Sequence, residues 1–107
     1  WLDLIESEPE RFAAGEPGID ADGAAWLAEQ GVVAVGADTW GLDAVPHPDG
    51  LVFPAHQELL AKNGVYILEN MNTHELVADA AWEFMFVLGQ PRVEGAVQMI
   101  INPIAIR

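Results

Sequence analysis

The chain has 107 residues, about half of them hydrophobic and four of them tryptophan, enough for one small domain with a core of its own. Seventeen Asp and Glu against four Lys and Arg leave a formal charge of −13, which repels phosphate backbones and anionic head groups and argues against nucleic acid or membrane partners. No apolar run approaches the roughly 20 residues needed to span a bilayer, and the absence of cysteine excludes disulfides and thiolate metal sites, a pattern compatible with the cytoplasm.

The first residue is Trp rather than Met, and "WLDLIESEPERFAAGEPG" reads as a connecting segment entered in mid-course, over about 1–16. Its Pro and Gly residues forbid a long helix, and its acidic stretch "ESEPE" reads as a solvated face. The expectation is that the chain is a portion of something longer. Asp20 then suits the N-cap of a helix over about 21–30, stopped by Gly31. Val32 to Val35 is a short β-branched run between glycines, which predicts a strand covered on both faces. The loop that follows, "GADTWGLDAVPHPDG", carries Asp38, Thr39, Asp43, His47 and Asp49, and a loop after a buried strand is where α/β proteins usually meet ligands. For Asp38 and Thr39, side-chain turns that close the loop are the expected role.

Pro54 fits the first turn of a helix running to about Lys62, and Asn63-Gly64 supplies a left-handed stop. A strand is expected over Val65 to Glu69, then a short helix near 73–80 capped by Asn72 or Thr73, with His74 and Glu75 in its first turn. "WEFMFVLGQPRV" reads as a long strand ended by Pro91, and "GAVQMIINPIAIR" as a last strand that Pro103 confines to an edge or a bulge. The order of elements predicts an α/β or α+β protein with a mixed sheet.

Two polar residues stand out against this pattern. His56, Leu59 and Leu60 lie at i, i+3 and i+4 on a helix, so the imidazole should point inward with the leucines. Glu69 shares a strand face with Val65, Ile67 and Met71, where a buried carboxylate requires a cation or hydrogen-bond donors. A divalent metal would satisfy both residues at once. The same residue types also permit a hydrogen-bonded core histidine and a glutamate at the rim, and two ligands fall short of a full coordination set. His47 and His74 read as a loop residue and a helix-start residue without special role. No phosphate-cradling glycine loop, GxSxG elbow or CxxC is present.

In order and spacing, "PGIDADGAAWLAEQGVVAVGADTWGLD", "HQELLAKNGVYILEN" and "GAVQMIINPIAIR" resemble the C-terminal half of the cyclase-like metal-dependent hydrolases, which include kynurenine formamidases and isatin hydrolases. The resemblance runs from about Pro17 to Arg107. It implies an α/β fold with a mixed, partly barrel-like sheet and flanking helices, of which residues 1–107 would be the C-terminal portion. It further implies a Mn2+- or Zn2+-dependent amidohydrolase acting on a small cyclic or N-acyl amide, in a homo-oligomer whose neighbours complete the pocket, with Trp1, Trp26, Trp40 and Trp82 as candidate lining residues. Carried over residue by residue, His56 and Glu69 correspond to metal ligands, and Gln57 to a contact in mononuclear relatives. The family's HxGTHxDxPxH motif, which supplies the remaining ligands and the general-base histidine, is absent from these residues. The resemblance therefore implies that a missing N-terminal segment or chain completes the site. A non-catalytic binding or scaffold subunit of the same fold, and a lactone hydrolase or cyclase-dehydratase, are the competing readings.

Overall fold

A computed structural model describes residues 1–90 and 92–107, which fall into two compact units, Trp1–Asn72 and Thr73–Arg107. In the first unit the N-terminal stretch is not a plain connector: it forms two short helices, α1 (Leu4–Ser7) and α2 (Pro9–Ala14). Pro9 sits at the start of α2, where its missing N–H costs nothing, so proline divides the stretch as expected. Helix α3 spans Ala21–Glu29, with the Asp20 side chain accepting the Gly23 N–H at 2.8 Å and Gly31 in the left-handed region at φ 72°.

Strand β1 (Ala34–Gly36) is followed by a long loop, then helix α4 (Pro54–His56), which runs on as a wider π-helical segment, Gln57–Lys62. Gly64, at φ 65°, releases the chain into β2 (Tyr66–Leu68). The two strands are parallel, with Ala34 opposite Tyr66, Val35 opposite Ile67 and Gly36 opposite Leu68. Parallel pairing requires such a crossover, and this one carries a helix across the pair. Ala24, Leu42, Ala55, Leu59 and Val65 make the core, where α3, the crossover helix and the parallel pair meet. A sheet of two strands has open edges, and Val33, expected to be covered, is 75% exposed. Leu60 also falls outside the expected inward stripe, at 43% exposed, because the crossover helix is packed only along the side that carries Leu59.

The second unit holds α5 (His74–Ala78), preceded by Thr73, and an antiparallel pair, β3 (Met85–Val87) with β4 (Ile104–Ile106). The long strand expected from Trp82 is only three residues, and its expected terminator, Pro91, lies outside the described residues. Pro103 stands immediately before β4, where it removes no ladder bond. Arg107 ties this unit together by reaching Asp79 and Glu75. None of its described residues is buried. The architecture is thus mixed helix and strand. The expected barrel-like sheet is replaced, among the described residues, by two separate two-stranded sheets, since strands of three residues cannot supply the ladder that closure requires. Among those residues no helix is long and apolar enough to cross a membrane.

Candidate functional site

The C-terminal ends of the parallel strands open onto one polar cluster, at the position where open α/β sheets usually bind ligands. Glu69 is the first residue beyond β2. Its position is held by backbone bonds that join the β2 exit to the β1 exit: Ala37 N–H donates to Leu68 O, Asn70 N–H to Thr39 O, and Met71 N–H to Ala37 O, all within 2.8–3.0 Å. His56 stands in the first turn of the crossover helix, in ring contact with Phe53 at 5.3 Å between centroids. Asp43 lies in the loop after β1 and is fully buried.

These residues form a chain of contacts. Asp43 Oδ1 accepts the Ala55 N–H at 2.6 Å, and Asp43 Oδ2 lies 2.6 Å from His56 Nδ1. On the other side of the ring, His56 Nε2 is 3.3 Å from Glu69 Oε1. His56 and Glu69 are therefore neighbours, as the inward geometry predicts, and Asp43 is a third member that periodicity did not single out. Gln57 is exposed on the widened helix, one residue along from His56.

Glu16 is the third acid of the neighbourhood. It falls in the stretch that reads as a connector, yet it is 5% exposed, with the Trp40 N–H donating to Oε2 at 2.5 Å and Oε1 buried without a hydrogen-bond partner. Burial pushes its carboxyl above the ordinary 4.5. The Trp40 and Gly41 amides pull it back, and the negative charges of Glu69 and Asp43 reinforce the effect of burial. A Cβ on Gly41 would come within 2.7 Å of Glu16 Oε1, so a side chain at 41 would displace the carboxyl. The only local hint in the sequence is a lone glutamate wedged between Gly15 and Pro17.

Backbone strain gathers at the same place. Of the four non-glycine residues with positive φ among those described, Leu42 (61°) directly precedes Asp43, Asn70 (53°) directly follows Glu69, and Phe53 (48°) leads into the turn that carries His56. Such conformations persist where the surroundings over-determine them, commonly at functional sites.

The remaining candidates have other occupations. Asp38 does not close a side-chain turn; it pairs with the Trp1 amino group and accepts the Leu2 N–H. Thr39 is buried with Oγ1 unpartnered. His47 accepts the Asp49 N–H at 3.2 Å through Nδ1 and borders a shallow cleft of about 360 Å³ with Asp20, Pro48 and Asp49. Trp40 Nε1–H donates to Phe12 O at 3.0 Å, Trp1 lies under the Arg11 guanidinium, and Trp26 is largely exposed. His74 and Trp82 belong to the second unit.

A neutral histidine that donates Nδ1–H to Asp43 turns its Nε2 lone pair toward the Glu69 carboxylate. Two acceptors facing each other at 3.3 Å need a positive charge between or upon them, either a proton or a metal cation. The separation suits two ligands of one ion, since bonds of about 2.1 Å at a tetrahedral angle place their atoms about 3.4 Å apart. Among the described residues, no group of three or more His, Cys, Asp or Glu is arranged to hold a metal ion. The pair is thus a fragment of a coordination sphere at most.

Residues 1–44 match the Cyclase family model, described as "Putative cyclase". The matched span holds the PG…WL…VG.DT motif together with Glu16 and Asp43, and ends before His56 and Glu69. No curated protein and no solved structure matches the chain.

Proposed function

We propose that this chain forms part of a metal-dependent hydrolase of the cyclase-like kind, acting on a small cyclic or N-acyl amide of the isatin or N-formylkynurenine class, with His56 and Glu69 as two of the metal ligands. The observation that carries the reading is the facing of His56 Nε2 and Glu69 Oε1 across 3.3 Å, with a buried carboxylate behind the ring. The similarity of residues 1–44 to the cyclase family supports the reaction class.

A Mn2+ or Zn2+ held there by His56 and Glu69 would supply Lewis-acid chemistry toward the amide carbonyl and toward water. The chain's own residues prepare for it. Asp43 accepts a hydrogen bond from Nδ1–H and so leaves the Nε2 lone pair open, and Glu69 brings negative charge to the same point. Gln57, exposed one residue along the helix, is a further candidate contact by the same resemblance. The remaining ligands, and the histidine that moves the proton, come from a preceding segment of the same protein or a neighbouring copy in a homo-oligomer.

Metal titration followed by elemental analysis tests the assignment. With the completing segment or copy present, the parent is expected to retain Mn2+ or Zn2+, His56→Ala and Glu69→Ala to lose it, and Gln57→Ala to lose less because that side chain is exposed. Unchanged metal content in both ligand variants would overturn the ligand assignment and favour a metal-free binding domain. A panel of isatin, N-formylkynurenine and lactone substrates, assayed with the completing segment present, separates the amide from the lactone reading.

A further inference from the structure

The geometry points to Asp43 as the positioning residue that selects the tautomer of His56 and so decides whether Nε2 can hold a cation. This deepens the metal reading above and rests on it for its consequence, although the tautomer itself can be observed without any metal.

The role follows from the hydrogen-bond partners of Asp43. Its side chain is fully buried, and both oxygens are engaged, Oδ1 by the Ala55 N–H and Oδ2 by His56 Nδ1, each at 2.6 Å. The backbone amide can only donate. A carboxylate can only accept. Asp43 therefore requires a hydrogen on Nδ1, and the neutral ring has no choice but to present a lone pair at Nε2, toward Glu69. Carboxylates behind metal-bound histidines act in this way in general, and their loss costs about 10- to 100-fold in metal affinity. The local backbone fixes Asp43 before any ligand arrives: Leu42 O accepts from Ile19 N–H at 3.0 Å, and the Glu16 and Val45 backbones exchange bonds of 2.8 and 2.9 Å on the other side.

Asp43→Asn separates this role from simple filling of space, because the shapes are nearly the same and the donor pattern is not. The Ala55 N–H must still meet an acceptor, so the carbonyl of the introduced amide turns to it and the NH2 is left facing Nδ1. The imidazole must then accept at Nδ1 and carry its hydrogen on Nε2, where it donates to Glu69 and is closed to a cation.

The experiment is 15N NMR of histidine-labelled, metal-free chain at about pH 8.5, where an ordinary imidazole is neutral, followed by Mn2+ and Zn2+ titration with the completing segment present. The parent is expected to show His56 with hydrogen on Nδ1, and Asp43→Asn with hydrogen on Nε2 and metal affinity lower by about 10- to 100-fold. A parent with hydrogen on Nε2 or on both nitrogens overturns the assignment, as does a folded Asp43→Asn that keeps the parent tautomer and affinity. If Asp43→Asn does not fold, the parent tautomer decides alone. A reversal of tautomer with no metal bound by either protein in the presence of the completing segment upholds the role of Asp43 and defeats the metal reading instead.

Discussion

Glu16 lies beside the proposed metal pair but faces a different problem, that of a carboxyl buried with one oxygen unpartnered. Its raised pKa makes a signed prediction. Below the ordinary value of 4.5 the group is protonated in folded and unfolded chains alike and has no effect on stability. As pH rises past 4.5, the unfolded chain releases its proton while the folded chain retains it. Folding is then penalised increasingly until pH passes the raised folded value, beyond which the penalty is constant. Glu16→Gln removes the titration, so the variant's urea midpoint should gain on the parent's as pH rises above 4.5. Parallel pH profiles for the two would refute this account. At this scale the sequence exposed His56 and Glu69 because helix and strand periodicity aim them inward whatever their partners. Asp43 stood in the sequence only as one of several polar loop residues and Glu16 not at all, because neither lies on a helix or strand whose periodicity could aim it, and their partners are met only after folding.

Segments 15–19 and 42–45 form a backbone clasp that holds Asp43 beneath His56. Glu16 pairs antiparallel with Val45 and Ile19 pairs parallel with Asp43, so the strip passes close over the loop. A Cβ on Gly18 would come to 2.2 Å from both Leu42 O and the Asp43 carbonyl carbon, which leaves no side chain but hydrogen. Gly18→Ala is therefore expected to cost stability at the upper end of about 1–3 kcal/mol, and to disturb His56 through Asp43. Gly89, with open space around it, is the control, and Gly89→Ala should stay within about 0.5 kcal/mol. Thermal melts check both, since 1 kcal/mol moves Tm by about 4–8 °C in a domain of this size. Equal melting temperatures for the two variants would show that the clasp yields. Helix ends were readable in advance because Asp20, Pro54, Gly31 and Gly64 act through local geometry. Strand lengths were not, because a strand is only as long as the ladder its partner offers.

The two units differ in what holds them. Trp1–Asn72 has a core around Leu59, whereas Thr73–Arg107 buries none of its described residues and leaves Trp82, Val97 and Ile100 largely exposed. A lone two-stranded pair is marginal in water. Amide hydrogen exchange should therefore find Ala37 and Tyr66, bonded across the β1–β2 ladder, protected at least about tenfold more than the amides of β3 and β4. Equal protection would mean that the second unit is stabilised by more than its own contacts. The sequence by itself determined the order of elements from Ala21 onward, the Asp20 cap and the inward aim of His56 and Glu69, because these follow from propensity and periodicity within a few residues. The tertiary structure alone decided that a buried Asp43 backs His56, that Glu16 is enclosed beside Trp40, and that short ladders take the place of a continuous sheet. Those outcomes depend on which distant segments meet, and no local pattern encodes that meeting.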